Sequence, residues 1–251
     1  MCVLNLSREP VTLPGKKKTT APGAPPARRR VARRKRREGP ETPLTRAHIV
    51  ASALALVDRD GLGALSMRRL GAGLGVDPMA VYYHIPNKEA LLDAIVEAVM
   101  AEIDLSVDNP ADPPEERIMC AARAYRDAMM AHVNALPIIL ARGPVTPVAL
   151  RPVELLIGIL RDAGLSPCYA WAGMNAIAAA VRGVVGMASF PGACQSTPSQ
   201  IKDMAQNFPA GQFPNLCEGL PFVGGLFERD FEFGIHALAR GLIAEAKSGI
   251  F

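Results

Sequence analysis

Cysteine pairs, long apolar runs and aromatics are all scarce in this chain. Its five cysteines (Cys2, Cys120, Cys168, Cys194 and Cys217) are scattered and form no C-x-x-C pair. That excludes a disulfide scaffold or a zinc knuckle and fits a reducing compartment. The longest apolar stretch, about residues 176–190, is broken by Arg182 and reads as too short and too polar to span a bilayer. The start, Met1-Cys2-Val3-Leu4, lacks the apolar segment of a secretory signal, so a cytoplasmic, nucleoid-associated chain with no membrane partner is expected. The 22 prolines and 22 glycines have no period, which excludes a collagen-like chain. No run alternates long enough to be a strand.

Catalytic signatures are missing too. The four histidines (His48, His84, His132, His236) are dispersed, with no H-E-x-x-H, no G-x-x-x-x-G-K-[ST] and no G-x-S-x-G. Gly71-Ala72-Gly73-Leu74-Gly75 imitates part of a dinucleotide loop but follows a helix start rather than a strand. The chain is read as a non-enzyme without metal or cofactor.

What is present begins with charge. Residues 1–40 hold 12 Lys/Arg against 2 Asp/Glu, whereas the other 211 residues hold 16 against 22. A basic arm on an acidic body points to a polyanionic partner. Residues 1–43, rich in Pro, Arg and Lys, are expected to be disordered.

From residue 44 the apolar spacing is helical. Ile49, Ala53, Leu56 and Val57 share one face, as do Leu92, Ile95, Val96, Val99 and Ile103. Four cap-plus-proline pairs, Asp77-Pro78, Asp112-Pro113, Thr146-Pro147 and Ser166-Pro167, mark helix starts. The cap side chain accepts from a free backbone N–H, and proline fits the first turn because its missing N–H would go unpaired there. Helices are expected over 44–60, 66–73, 77–83, 87–104, 113–133, 136–142, 147–163, 167–189 and 227–247. Residues 190–226 read as a long loop with one short helix near 199–207.

The segment from Ser66 to His84 carries the functional signal. Two short helices meet at Gly75, and Asp77 caps the second. Leu70, Leu74, Val76 and Val81 would be buried, leaving Pro78, Met79, Ala80, Tyr82, Tyr83 and His84 largely outside. This is a helix-turn-helix pattern, whose second helix would enter a DNA major groove.

The stretch Leu44–Ile103 resembles the DNA-binding domain of the tetracycline-repressor (TetR) family. The resemblance rests on Thr45-Arg46, Gly61, Met67-Arg68-Arg69-Leu70, Val81-Tyr82-Tyr83-His84 and Asn87-Lys88-Glu89-Ala90-Leu91-Leu92. Beyond residue 104, Phe231-Glu232-Phe233-Gly234 and Leu238-Ala239-Arg240-Gly241-Leu242 look like the family's last helix. The resemblance implies an all-α fold: a disordered arm (1–43), a three-helix helix-turn-helix domain (44–104), and a helical ligand-binding and dimerisation domain (105–251). It implies a ligand-responsive repressor that binds a palindromic operator as a homodimer and is released by a small apolar or aromatic effector. The alternative is an architectural or non-specific nucleic-acid-binding protein working through its arm.

Site roles follow from the same resemblance. Arg68 would touch a base edge or phosphate, Met79 and Ala80 would face bases, and Tyr82, Tyr83, His84, Lys88 and Thr45 would contact phosphates. Gly71 and Gly73 depart from expectation, since glycine within a helix costs roughly 1 kcal/mol against alanine. Residues 41–103 hold five basic and eight acidic residues, so the arm would supply much of the attraction to phosphate. Tyr125, Met129, His132, Ile139, Leu156, Leu160, Met174 and Ile177 are expected around a ligand pocket. Ala172, Ala176, Ala179, Gly183, Phe231, Leu238 and Leu242 are expected at the dimer interface. Tetracycline repressors hold magnesium with a histidine where this chain has Ile139. A second histidine of theirs corresponds to Asp104, so a tetracycline–magnesium effector is not expected.

Overall fold

The computed structural model describes residues 43–189, 199–200, 203, 206–208, 211–222 and 227–248. All lie in one compact unit, Glu38–Phe251. Among them every regular element is a helix. The basic arm and part of the helix expected near 199–207 lie outside the described residues.

Helices α1 (Arg46–Asp60), α2 (Met67–Gly73), α3 (Pro78–His84) and α4 (Lys88–Ala101) come first. Each begins where an oxygen-bearing side chain can accept a free backbone N–H. Thr45 accepts from His48, Ser66 from Arg69, Asp77 from Met79, and Asn87 from Ala90. Ile49, Ala53 and Val57 of α1 pack with Leu91, Ile95 and Val99 of α4, all fully or almost fully buried.

The second part comprises α5 (Pro114–Ala131), α6 (Leu136–Ala141), α7 (Pro147–Asp162), α8 (Pro167–Ser189), α9 (Pro214–Gly219) and α10 (Phe227–Ser248). Helices α5, α7, α8 and α10 pack on one another, and α4 packs on α7. Arg117 of α5 is buried, and its guanidinium is held by Asp108 at 2.8 Å and Asp162 at 3.1 Å. That pair of carboxylates ties the segment after α4 to α5 and to the end of α7.

Three expectations need correction. Asp112 does not cap α5: its cap position is Pro113, and Asp112 instead accepts from the Asn109 side chain at 2.9 Å. The segment read as loop contains α9, which opens on Pro214. Helix α8, at 23 residues, is long and apolar enough to cross a membrane by length and composition alone. Its Ala170, Gly173, Met174, Ile177, Val181 and Val185 nevertheless form a stripe buried within the bundle.

Candidate DNA interface and ligand cavity

The α2–α3 turn accounts for Gly75 and Gly71. Gly75 has φ 69°, the left-handed conformation that ends a helix sharply. Its N–H donates to the Ala72 carbonyl, and the Val76 N–H donates to the Gly71 carbonyl. This reversal brings α3 so close that a Cβ on Gly71 would lie 3.2 Å from the backbone of Pro78 and of Val76. The helix-propensity cost at Gly71 is therefore the condition for the tight turn. Gly73 has open space around its Cβ position, so no steric demand explains it.

Val81 and Leu70 are buried between the two helices, while Leu74 and Val76 are half-buried. The other face of α3 looks outward. Met79 is 71% exposed, Tyr82 39% and Tyr83 87%. Pro78, Ala80 and His84 are half-buried. The Tyr83 and His84 rings meet edge to face with centroids 5.3 Å apart. Arg68 on α2 and Lys88 at the first turn of α4 are exposed, and neither forms an ion pair among the described residues. Arg69, by contrast, is held by Asp60. Two free cations therefore flank a short helix whose exposed side is apolar and phenolic. Thr45 is exposed, and its oxygen serves as the α1 cap. Its hydroxyl hydrogen remains able to donate.

Between α4, α5, α6, α7 and α8 lies a cavity of about 210 Å³. Tyr125, Ile139, Leu156, Met174 and Ile177 line it. Three expected pocket residues do not. Met129 and Leu160 are fully buried core. His132 is turned away, with Nδ1 2.8 Å from Asp58 and Nε2 2.7 Å from Glu102. Burial opposes charge on this imidazole. The two carboxylates outweigh that, and its pKa is raised. Sequence reading missed Trp171, Asn175, Arg142 and Arg182, all of which line the cavity.

Arg142 joins the cavity to the DNA-binding half. It pairs with the Asp93 and Glu89 carboxylates of α4, and its guanidinium also reaches the Glu89 carbonyl at 3.4 Å. Glu89 directly follows Lys88. Ile139 and Asp104, where the resemblance places metal-holding histidines in tetracycline repressors, both line the cavity. The Asp104 carboxylate is engaged by Ser106, through its N–H at 2.9 Å and its hydroxyl at 2.6 Å, which lowers its pKa. Among the described residues no group of three His, Cys, Asp or Glu could hold a metal ion.

On the outer side of α8, Ala172, Ala176, Ala179 and Gly183 form an exposed stripe that Met187 extends, with Trp171 beside it. On α10, Leu238 and Leu242 are half-buried, and Leu242 packs close to Gly173 within the same chain. Phe231 is a correction: it is fully buried under Arg126, whose guanidinium sits 4.4 Å from the ring centroid. The aromatic exposed on α10 is Phe233, at 77%.

Comparison with known proteins completes the picture. Residues 49–95 match the family described as bacterial regulatory proteins, tetR family, and residues 108–246 match the tetracyclin repressor-like C-terminal domain. An HTH-type transcriptional regulator of Saccharopolyspora erythraea is 29% identical over 233 residues, 92% of this chain and 97% of its own. The class C tetracycline repressor protein of Escherichia coli is 31% identical over 171 residues, 66% of this chain and 77% of its own. Among solved structures, ActR of Streptomyces coelicolor in complex with actinorhodin superposes with a TM-score of 0.72 at 30% identity, covering 82% of this chain and 99% of ActR. These matches do not favour a purely architectural nucleic-acid-binding protein. With a helix-turn-helix at one end and a helical domain enclosing a cavity at the other, the chain belongs to the tetR family of bacterial regulatory proteins and is a ligand-responsive transcriptional repressor.

Proposed function

We propose that two copies of this chain bind one inverted-repeat operator through α3, and that an apolar or aromatic effector entering the cavity releases them. The observation that carries this reading is Arg142. It lines the cavity and pairs with Asp93 and Glu89 of α4, the helix whose first turn bears Lys88. A ligand that displaces Arg142 would loosen α4 and, with it, the register of α3 in the groove. The required linkage is about 1–3 kcal/mol, a coupling that two or three polar contacts can supply.

Tyr82, Tyr83, His84, Lys88 and Thr45 would donate to phosphates, and Arg68 would read a guanine edge or a nearby phosphate. Met79 and Ala80 would meet thymine methyl groups. The exposed stripe of α8 and Phe233 of α10 would face their counterparts in the second copy. Two-fold symmetry then sets the recognition helices about one helical turn of DNA apart. The basic residues of 1–40 would add sequence-independent attraction to the cytoplasmic nucleoid. The complex of ActR with actinorhodin supports a small-molecule effector. Duplexes selected from a random pool should contain an inverted repeat and should still be selected after residues 1–40 are removed. Selection that vanishes with the arm would favour non-specific binding instead.

A further inference from the structure

Three charged side chains line the cavity: Asp104, Arg142 and Arg182. Two of them are compensated. Asp104 is engaged by Ser106, and Arg142 by Asp93 and Glu89. Arg182 differs. It is half-buried on α8, and its Nε donates to the Ala178 carbonyl one turn back at 3.1 Å. Among the described residues no carboxylate pairs with it. Its partners are neutral oxygens, the Ala178 carbonyl and the Tyr125 phenol, so a bound carboxylate would supply the missing negative charge through two parallel charge-assisted hydrogen bonds.

Resting on the reading of this cavity as the effector site, we propose that its effector is a small aromatic acid, bound as the anion, with its carboxylate on Arg182 and its ring system among Tyr125, Leu156, Met174 and Trp171. The volume bounds the ring system. About 210 Å³ exceeds a cavity that takes benzene, roughly 150 Å³, and falls below the roughly 300–1,000 Å³ of drug-sized sites. One or two fused rings fit without opening the bundle. Tyr125 supports the same polarity. Burial pushes its phenol up, and the nearby Arg182 charge pulls it part of the way back. The net rise leaves an O–H donor at neutral pH beside the guanidinium. Arg142, at the α4 side, stays with its own acids until the ligand's far end reaches it.

The test uses the full chain and a matched pair of probes, 2-naphthoate and the neutral, similarly shaped 2-acetonaphthone, titrated by calorimetry. The wild-type chain should bind naphthoate at least about tenfold tighter, roughly 1.4 kcal/mol. Arg182→Met should remove that preference and leave 2-acetonaphthone affinity within about twofold, which also shows that the variant is folded. Arg182→Lys should restore part of it. Equal affinities in the wild-type chain, an unchanged preference in Arg182→Met, or no naphthoate binding at millimolar concentration overturns the proposal. Val153→Phe, which fills the cavity from α7, separates the two readings. Loss of both probes locates them in the cavity. Binding of both that ignores this substitution overturns the effector site itself, and the acid-specificity proposal with it.

Discussion

The His132 Nδ1 atom, just past the C-terminal end of α5, lies 2.8 Å from the Asp58 carboxylate of α1. The other ring nitrogen reaches Glu102 just past α4, and the neighbouring Asn134 side chain donates to the Asp58 carbonyl at 2.7 Å. One imidazolium thus bolts the first helix of the DNA-binding half to the ligand-binding half. Its pKa is raised, because Glu102 and Asp58 outweigh the burial that opposes the charge. The clamp therefore stabilises fully below the unfolded histidine value of about 6.5 and is lost as pH rises through the higher folded value. Urea unfolding should show His132→Ala less stable by about 1–3 kcal/mol at pH 6. The difference should shrink at pH 8.5.

The helix-turn-helix turn gives a paired test. Gly71→Ala forces a methyl against the Pro78 backbone and should destabilise the protein by about 1–3 kcal/mol. Gly73→Ala meets no neighbour and should be neutral or stabilising by up to about 1 kcal/mol. Thermal unfolding of the two variants side by side distinguishes a steric requirement from simple helix propensity.

Much of this was legible in the sequence. The cap-plus-proline pairs Asp77-Pro78 and Thr146-Pro147 located the starts of α3 and α7, and period 3.6 located the buried faces of α1 and α4. What escaped was the rotation of each helix about its own axis. Apolar residues of α5 surround it broadly enough that Met129 and Tyr125 read alike, yet Met129 fills core and Tyr125 borders empty space. Phe231 and Phe233 are two residues apart, about 200° around a helix, so only one can face inward. The core stripe Phe231, Ile235, Ala239 and Ile243 decides which. Arg142 and Arg182 escaped because an ordinary surface arginine leaves the same mark in sequence. Helix α9 was hidden by Pro214, Asn215 and Gly219, which read as turn residues.

On DNA, Tyr83→Ala should weaken binding without altering the preferred sequence or the melting temperature, since the ring is 87% exposed. Arg68→Ala should cost about 1–3 kcal/mol and relax one base position if it reads an edge. Titration on an operator and on a scrambled duplex separates the two roles. Unchanged affinity in both variants would refute the docking geometry.

Arg142→Ala should still bind an aromatic probe in the cavity, with a shifted affinity, while the effect of that probe on DNA affinity falls, because the link to Asp93 and Glu89 is cut. Fluorescence anisotropy of labelled operator, with and without probe, measures it. A coupling equal to that of the unsubstituted chain would place signal transfer elsewhere.

Assembly has its own test. Ala176→Glu and Ala179→Glu add charges to the exposed stripe of α8 and should shift sedimentation from two copies to one, with the helical content kept. Phe231→Ala should instead destabilise the fold by about 3–5 kcal/mol, because the ring is fully buried.

The most direct measurement is hydroxyl-radical footprinting of the protein on a duplex selected from a random pool. Paired protections on an inverted repeat, with half-site centres about 10–10.5 base pairs apart and both erased by disrupting the α8 stripe, are the predicted result. A single protected half-site that survives this disruption, or uniform protection with no repeat, would contradict the account.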